Sequence, residues 1–111
     1  MRGLSFLVDG ELFTVDATLV MKVVNNIRIT PIPAAPDAVV GLINLKGMVI
    51  TVLSLSALLG RGRESRLANS VKAVIIKPLK SGGDQMGLLI DEPEDLIEID
   101  EEKILPLPPR L

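Results

Sequence analysis

The chain has 111 residues, 48% of them apolar, a net charge of −2, and neither cysteine nor histidine. That is one domain's length with enough aliphatic side chain for a core, and it excludes disulfides, thiolate metal sites and nucleophilic triads built on His or Cys. The slight negative charge, with Phe6 and Phe13 as the whole aromatic content, argues against a nucleic-acid surface, and no apolar run approaches the roughly 20 residues of a membrane span.

The first residues meet charge too soon for a signal peptide, so a cytoplasmic protein is expected. Leu4, Phe6 and Val8 alternate with Ser5, Leu7 and Asp9, a strand period. Asp9-Gly10 then predicts a tight hairpin turn, with Leu12 to Val15 as the return strand. Asp16 is placed to cap a helix whose face carries Leu19, Val20, Val23 and Val24, ending near Asn25 and Asn26. Ile27 to Ile32 reads as extended. The prolines 31, 33 and 36 make the next segment a stiff connector.

The strongest strand signal follows: Val39 to Leu45, a turn at Lys46-Gly47, then Met48 to Leu53. Ser54 or Ser56 can cap a short helix over Ala57, Leu58 and Leu59, with Gly60 as its stop. Residues 60–70 read as a flexible polar loop. Val71 to Ile76 is so nearly unbroken in apolar residues that it predicts a strand buried on both faces. A turn region over 77–84 leads to a strand over 86–90. After Pro93, Leu96, Ile97 and Ile99 make one more short strand. Many short strands with little helix predict a barrel or sandwich. The pattern I-x-P-x-P occurs at 29–33 and again at 104–108, which suggests two related halves.

Charge is segregated. Arg61, Arg63, Arg66, Lys72, Lys77 and Lys80 lie in the middle; Asp91, Glu92, Glu94, Asp95, Glu98, Asp100, Glu101 and Glu102 lie at the end. These are either two solvated loops in weak mutual attraction or two patches that orient partners. The acidic end lacks the D-x-[DN]-x-[DN]-G spacing of a calcium loop, and Ser81-Gly82-Gly83-Asp84 lacks the Lys-Ser/Thr ending of a phosphate loop. No cofactor and no metal is expected, and a paired-carboxylate hydrolase would need a cleft that this composition does not offer.

The order of segments resembles the CheW-like family. The resemblance is carried by Ile29-Thr30-Pro31-Ile32-Pro33, Pro36-Asp37, Gly41-Leu42-Ile43-Asn44-Leu45-Lys46-Gly47, Gly87-Leu88-Leu89-Ile90-Asp91 and Ile104 to Pro108, and spans nearly the whole chain. It implies an all-β fold with one or two short helices, arranged as a pair of small five-stranded β-barrels. It also implies a non-catalytic adaptor of bacterial chemotaxis, linking the cytoplasmic tips of chemoreceptors to the regulatory domain of the histidine kinase CheA. Alternatives within the resemblance are a CheW-like regulatory module of a kinase or fused regulator, and a diverged protein-binding or oligomerising domain outside chemotaxis.

The family's contacts, carried onto this chain, imply a partner-binding surface at Asn44 and Lys46, joined by Met21 and Lys22 on the outer face of the predicted helix. Val39 and Val49 are expected as exposed aliphatics lining a groove for a receptor helix. The family usually has Arg where Lys46 stands, Glu at Lys22, Pro at Thr51 and Asp at Ser54. Lys offers a point charge in place of a planar fork, so the usual contacts are altered. Family domains also continue past the second I-x-P-x-P with a further hairpin. The chain is therefore expected to be a single domain over 1–111 with its second barrel incomplete. A second copy, strand exchange or a partner's hairpin would complete it.

Overall fold

The computed structural model describes residues 1–60, 71–78 and 82–99. Two tight turns set the local geometry. β1 (Arg2–Val8) and β2 (Glu11–Asp16) pair antiparallel, with Val8 opposite Glu11. Asp9 and Gly10 between them take φ of 51° and 79°, the left-handed pair that a two-residue hairpin with native twist requires. β4 (Val39–Leu45) and β5 (Met48–Ser54) repeat the device: Leu45 opposes Met48, and Lys46 and Gly47 take φ of 52° and 84°.

Ser54 caps the short helix α1 (Leu55–Leu58) by accepting from the Ala57 N–H, and Gly60 follows it at φ 79°. β6 (Val71–Ile76), β7 (Met86–Ile90) and β8 (Glu92–Glu98) complete the strands. The last includes Pro93, beside a bulge in its pairing with β1. That proline is tolerated because it sits at the bulge and, among the described residues, at the edge of its sheet.

The residues 16–24, expected as a helix, form one 3-10 turn, Ala17–Leu19, followed by β3 (Val20–Ile27). The reason lies in two β-bulges, between Val20 and Lys22 and between Val24 and Ile27. Each inserts a residue, so Val20 and Val23 fall on one sheet face at a spacing of three, which mimics a helical stripe. The density of β-branched residues then decides for strand.

The strands form two sheets. One has the order β2-β1-β8, the other β3-β6-β7-β5-β4, with β7 inserted parallel to β5. Phe6, Val8, Leu53, Leu55, Val74, Ile76, Leu88 and Ile90 form the core between them. The opposite face of the five-stranded sheet holds a second core: Val40, Ile43, Ile50, Val52, Ala73, Ile75 and Leu89. β6 feeds both cores with successive residues, as its unbroken apolar run predicts.

The expectation of an all-β pair of five-stranded barrels is corrected. The fold is a mixed one dominated by strands, and among the described residues neither sheet closes. Three strands are too few to wrap into a barrel. The five-stranded sheet curls until Thr30 exchanges both backbone hydrogen bonds with Leu42 of β4, at 2.8 and 2.9 Å, but this is one bridge and not a ladder. Pro31 and Pro33 bring no N–H to extend it, and a turn closed by Ala35 N–H on the Ile32 carbonyl leads the chain away. The bridge is close enough to require Gly41, where an added Cβ would lie 2.4 Å from the Thr30 oxygen.

Residues 61–70 of the loop expected over 60–70 and the second I-x-P-x-P at 104–108 lie outside the described residues, as do Arg61, Arg63, Arg66, Lys80, Asp100, Glu101 and Glu102.

Candidate protein-binding surface

The β4–β5 hairpin gives the strongest candidate surface. Its rigidity comes from below: Ile43, Ile50 and Val52 are buried in the second core, which fixes the outward direction of their neighbours. Asn44 and Val49 oppose each other across the hairpin and share the outer face; Val49 is 65% exposed. Leu42 and Thr51, the next pair on that face, are half-buried. Asn44 has a structural task as well, since its Oδ1 accepts the Gly47 N–H at 3.0 Å and closes the turn. The side chain of Lys46 is exposed at the tip. Chemically this is an apolar patch with an amide and one cation at its rim.

Met21 and Lys22 are both exposed, on β3, at the far edge of the same sheet from β4. Met21 is the extra residue of the first bulge. Lys22 lies opposite Ile75 on the second-core side, so the two are not brought into the hairpin patch. Val39 is half-buried and packs against the core between the sheets. Opposite Leu53, it lies on the same face of the hairpin as Val49 but at the far end, where the first core covers it.

Sequence reasoning missed Met48, 49% exposed beside Lys46. By alternation it shares a side with buried Ile50, which hides it from a simple pattern reading. Its place next to the turn, past the end of the core, was the available signal.

The hairpin of β1 and β2 is tied to the rest of the molecule by polar contacts. The Asp91 carboxylate accepts the Asp9 N–H at 2.8 Å, Asp91 N–H donates to the Leu7 carbonyl at 2.8 Å, and the Ser56 hydroxyl donates to Asp9. Lys72 pairs with Glu92, so the basic middle and acidic end of the chain do meet at one point. The Asp16 carboxyl is held below the usual carboxylate range by the Thr18 backbone N–H and then by the Thr18 hydroxyl. The described residues hold no group of three or more acidic side chains that could bind a metal ion, and no helix among them is long and apolar enough to cross a membrane.

The CheW-like domain model matches residues 2–110. The chain is 31% identical to a chemotaxis protein CheW of Rhizobium meliloti over 105 residues, covering 95% of this chain and 65% of that protein. It is 29% identical to a chemotaxis protein CheW of Thermotoga maritima over 101 residues, covering 91% of this chain and 64% of the other. The chain thus spans just under two thirds of the length of these curated relatives. Among solved structures, the scaffolding protein TtCheW from Thermoanaerobacter tengcongensis superposes with a TM-score of 0.76 at 33% identity, covering 99% of this chain and 73% of that one.

Proposed function

The chain belongs to the CheW-like domain family, and from that premise we propose that it is a non-catalytic adaptor in bacterial chemotaxis signalling. In this reading it works in the cytoplasm and couples the cytoplasmic tips of chemoreceptors to the regulatory domain of a CheA-type histidine kinase. The observation that carries it is the exposed outer end of the β4–β5 hairpin, with Val49 and Asn44 presented on a strand pair anchored from the other face by Ile43, Ile50 and Val52. A rigid, partly apolar surface with one cation suits association with a preformed partner, because little is lost in ordering it.

The roles divide by position. Val49 and Met48 supply apolar contact area, Met48 with the adaptability of an unbranched thioether. Lys46 steers and orients through its charge, which in place of the family's Arg lets it serve acidic partners without bidentate geometry. Met21 and Lys22 form a separate contact point on the β3 edge. Ser54, where the family usually has Asp, keeps the capping function because its hydroxyl accepts the same kind of N–H. Titration of the chain against a CheA regulatory domain and against a receptor-tip fragment, with Lys46→Glu in parallel, tests the proposal.

A further inference from the structure

Methionine is the one side-chain type in this chain that peroxide oxidises readily, because cysteine, tryptophan, tyrosine and histidine are all absent. The four methionines divide by exposure. Met1 and Met86 are half-buried, Met86 against the core between the sheets. Met48 and Met21 are exposed, at 49% and 45%. These two stand at the hairpin end and on β3, the two contact points of the proposed surface. Met48 opens β5 opposite Leu45, directly after the turn at Lys46 and Gly47 and past the end of the second core. The fold at this point is held by Ile43 and Ile50, both buried, and owes little to the Met48 side chain. The exposed large apolar side chains of the hairpin are Met48 and Val49. Turning the thioether into a polar group therefore removes one of two apolar contacts that a partner would use.

We propose that Met48 is a redox-sensitive control on partner binding, an inference that rests on the hairpin being the binding surface. Hydrogen peroxide transfers one oxygen atom to the Met48 sulfur. An S–O bond forms as the O–O bond breaks, the sulfur is oxidised by two electrons, and the peroxide leaves as water. The sulfoxide oxygen is a hydrogen-bond acceptor that water solvates in the free chain and that an apolar partner surface leaves unpaired. Oxidation thus weakens association and spares the fold. A methionine sulfoxide reductase with a thiol reductant returns the thioether, releasing water and a disulfide of the reductant. Met86 is shielded from the same reagent by its packing.

The test uses the full chain carrying Met21→Leu, which leaves Met48 as its exposed methionine. After brief hydrogen peroxide treatment, peptide mass spectrometry is expected to show Met48 oxidised well ahead of Met86, with the melting temperature little changed. Titration against a CheA regulatory domain and a receptor-tip fragment is expected to show a roughly tenfold loss of affinity for one of them. Reductases for both sulfoxide epimers, with dithiothreitol, should restore it. Adding Met48→Leu keeps the apolar volume without the sulfur; this chain is expected to bind as the untreated one does and to be indifferent to peroxide. Bound partner should also slow oxidation of Met48. Unchanged affinities after Met48 is oxidised, or a loss that Met48→Leu does not prevent, would overturn the control and leave the adaptor reading standing. So would unfolding on oxidation, which would make Met48 part of the core. Failure of the untreated chain to bind either partner would overturn both.

Discussion

The hydroxyl of Ser5 donates to the Asp95 carbonyl at 2.9 Å and accepts the Asp95 N–H at 3.0 Å, so one buried side chain satisfies both backbone groups of a residue 90 positions away. It does so where the pairing of β1 with β8 slips register, between Leu4 and Phe6. A bulge there leaves backbone groups without their ladder partners, and the hydroxyl replaces them. Ser5 is 2% exposed. Ser5→Ala is expected to lose about 1–3 kcal/mol of unfolding free energy, the cost of burying polar groups without partners. Denaturant titration measures it, and amide exchange at Asp95 should quicken relative to residues in β7.

Gly3 and Gly10 separate two reasons for glycine. A Cβ on Gly3 would lie 2.2 Å from Ile99 Cδ1 and 2.4 Å from Thr14 Cγ2, whereas one on Gly10 would meet nothing within 4 Å. Gly3→Ala is expected to cost about 1–3 kcal/mol through overpacking. Gly10→Ala should cost about 1–2 kcal/mol through its left-handed backbone alone. Gly3→Val should be worse than Gly3→Ala, while Gly10→Asn should recover most of the loss at the turn, since Asn tolerates that conformation.

The Asp16–Thr18 turn gives a pH dependence with a definite sign. The Asp16 carboxyl is lowered by the Thr18 N–H and hydroxyl, so the folded state favours the ionised form. Its contribution is present above the ordinary carboxylate range and is lost as pH falls through the lower folded value. The stability difference between the wild type and Asp16→Asn should therefore shrink below about pH 4 and be constant near neutrality. Urea titrations at stepped pH measure this. A difference that grows on acidification would contradict the assignment.

The two hairpins were fully legible in the sequence, because Asp9-Gly10 and Lys46-Gly47 demand positive φ and little else satisfies it. The burial of β6 on both faces was legible for a similar reason: four successive apolar residues cannot all be hidden by one-sided packing. The supposed helix over Leu19, Val20, Val23 and Val24 was not, because bulges in β3 reproduce helical spacing. Barrel closure was also beyond reach. It depends on whether the strand edges meet, and only the Thr30–Leu42 bridge does so among the described residues. Of the residues named for the candidate surface, Asn44, Lys46 and Val49 lie together at the exposed end of the hairpin. Val39 was expected to be exposed, but a bulge between Val39 and Gly41 sets it opposite Leu53, where the first core covers it, and neither the bulge nor that packing has a sequence signal.

Stability and partner binding should separate cleanly between the hairpin's two faces. Ile50, on the hairpin's inner face, is buried in the second core, and Ile50→Ala is expected to cost about 2–5 kcal/mol. Val49→Ala on the outer face should change stability by less than about 0.5 kcal/mol. Thermal and denaturant melts of the two variants check this directly, and a large loss at Val49 would mean that its side chain is part of the core.

Adaptor function is tested most directly by isothermal titration of the chain, its Lys46→Glu variant and its Val49→Asp variant. Each is titrated against a CheA regulatory domain and a receptor-tip fragment, with folding confirmed by melts. The expected result is that the wild-type chain binds both partners and that both variants, still folded, lose at least tenfold in affinity for one of them. Failure of the wild-type chain to bind either partner, or unchanged affinity in both variants, would contradict it.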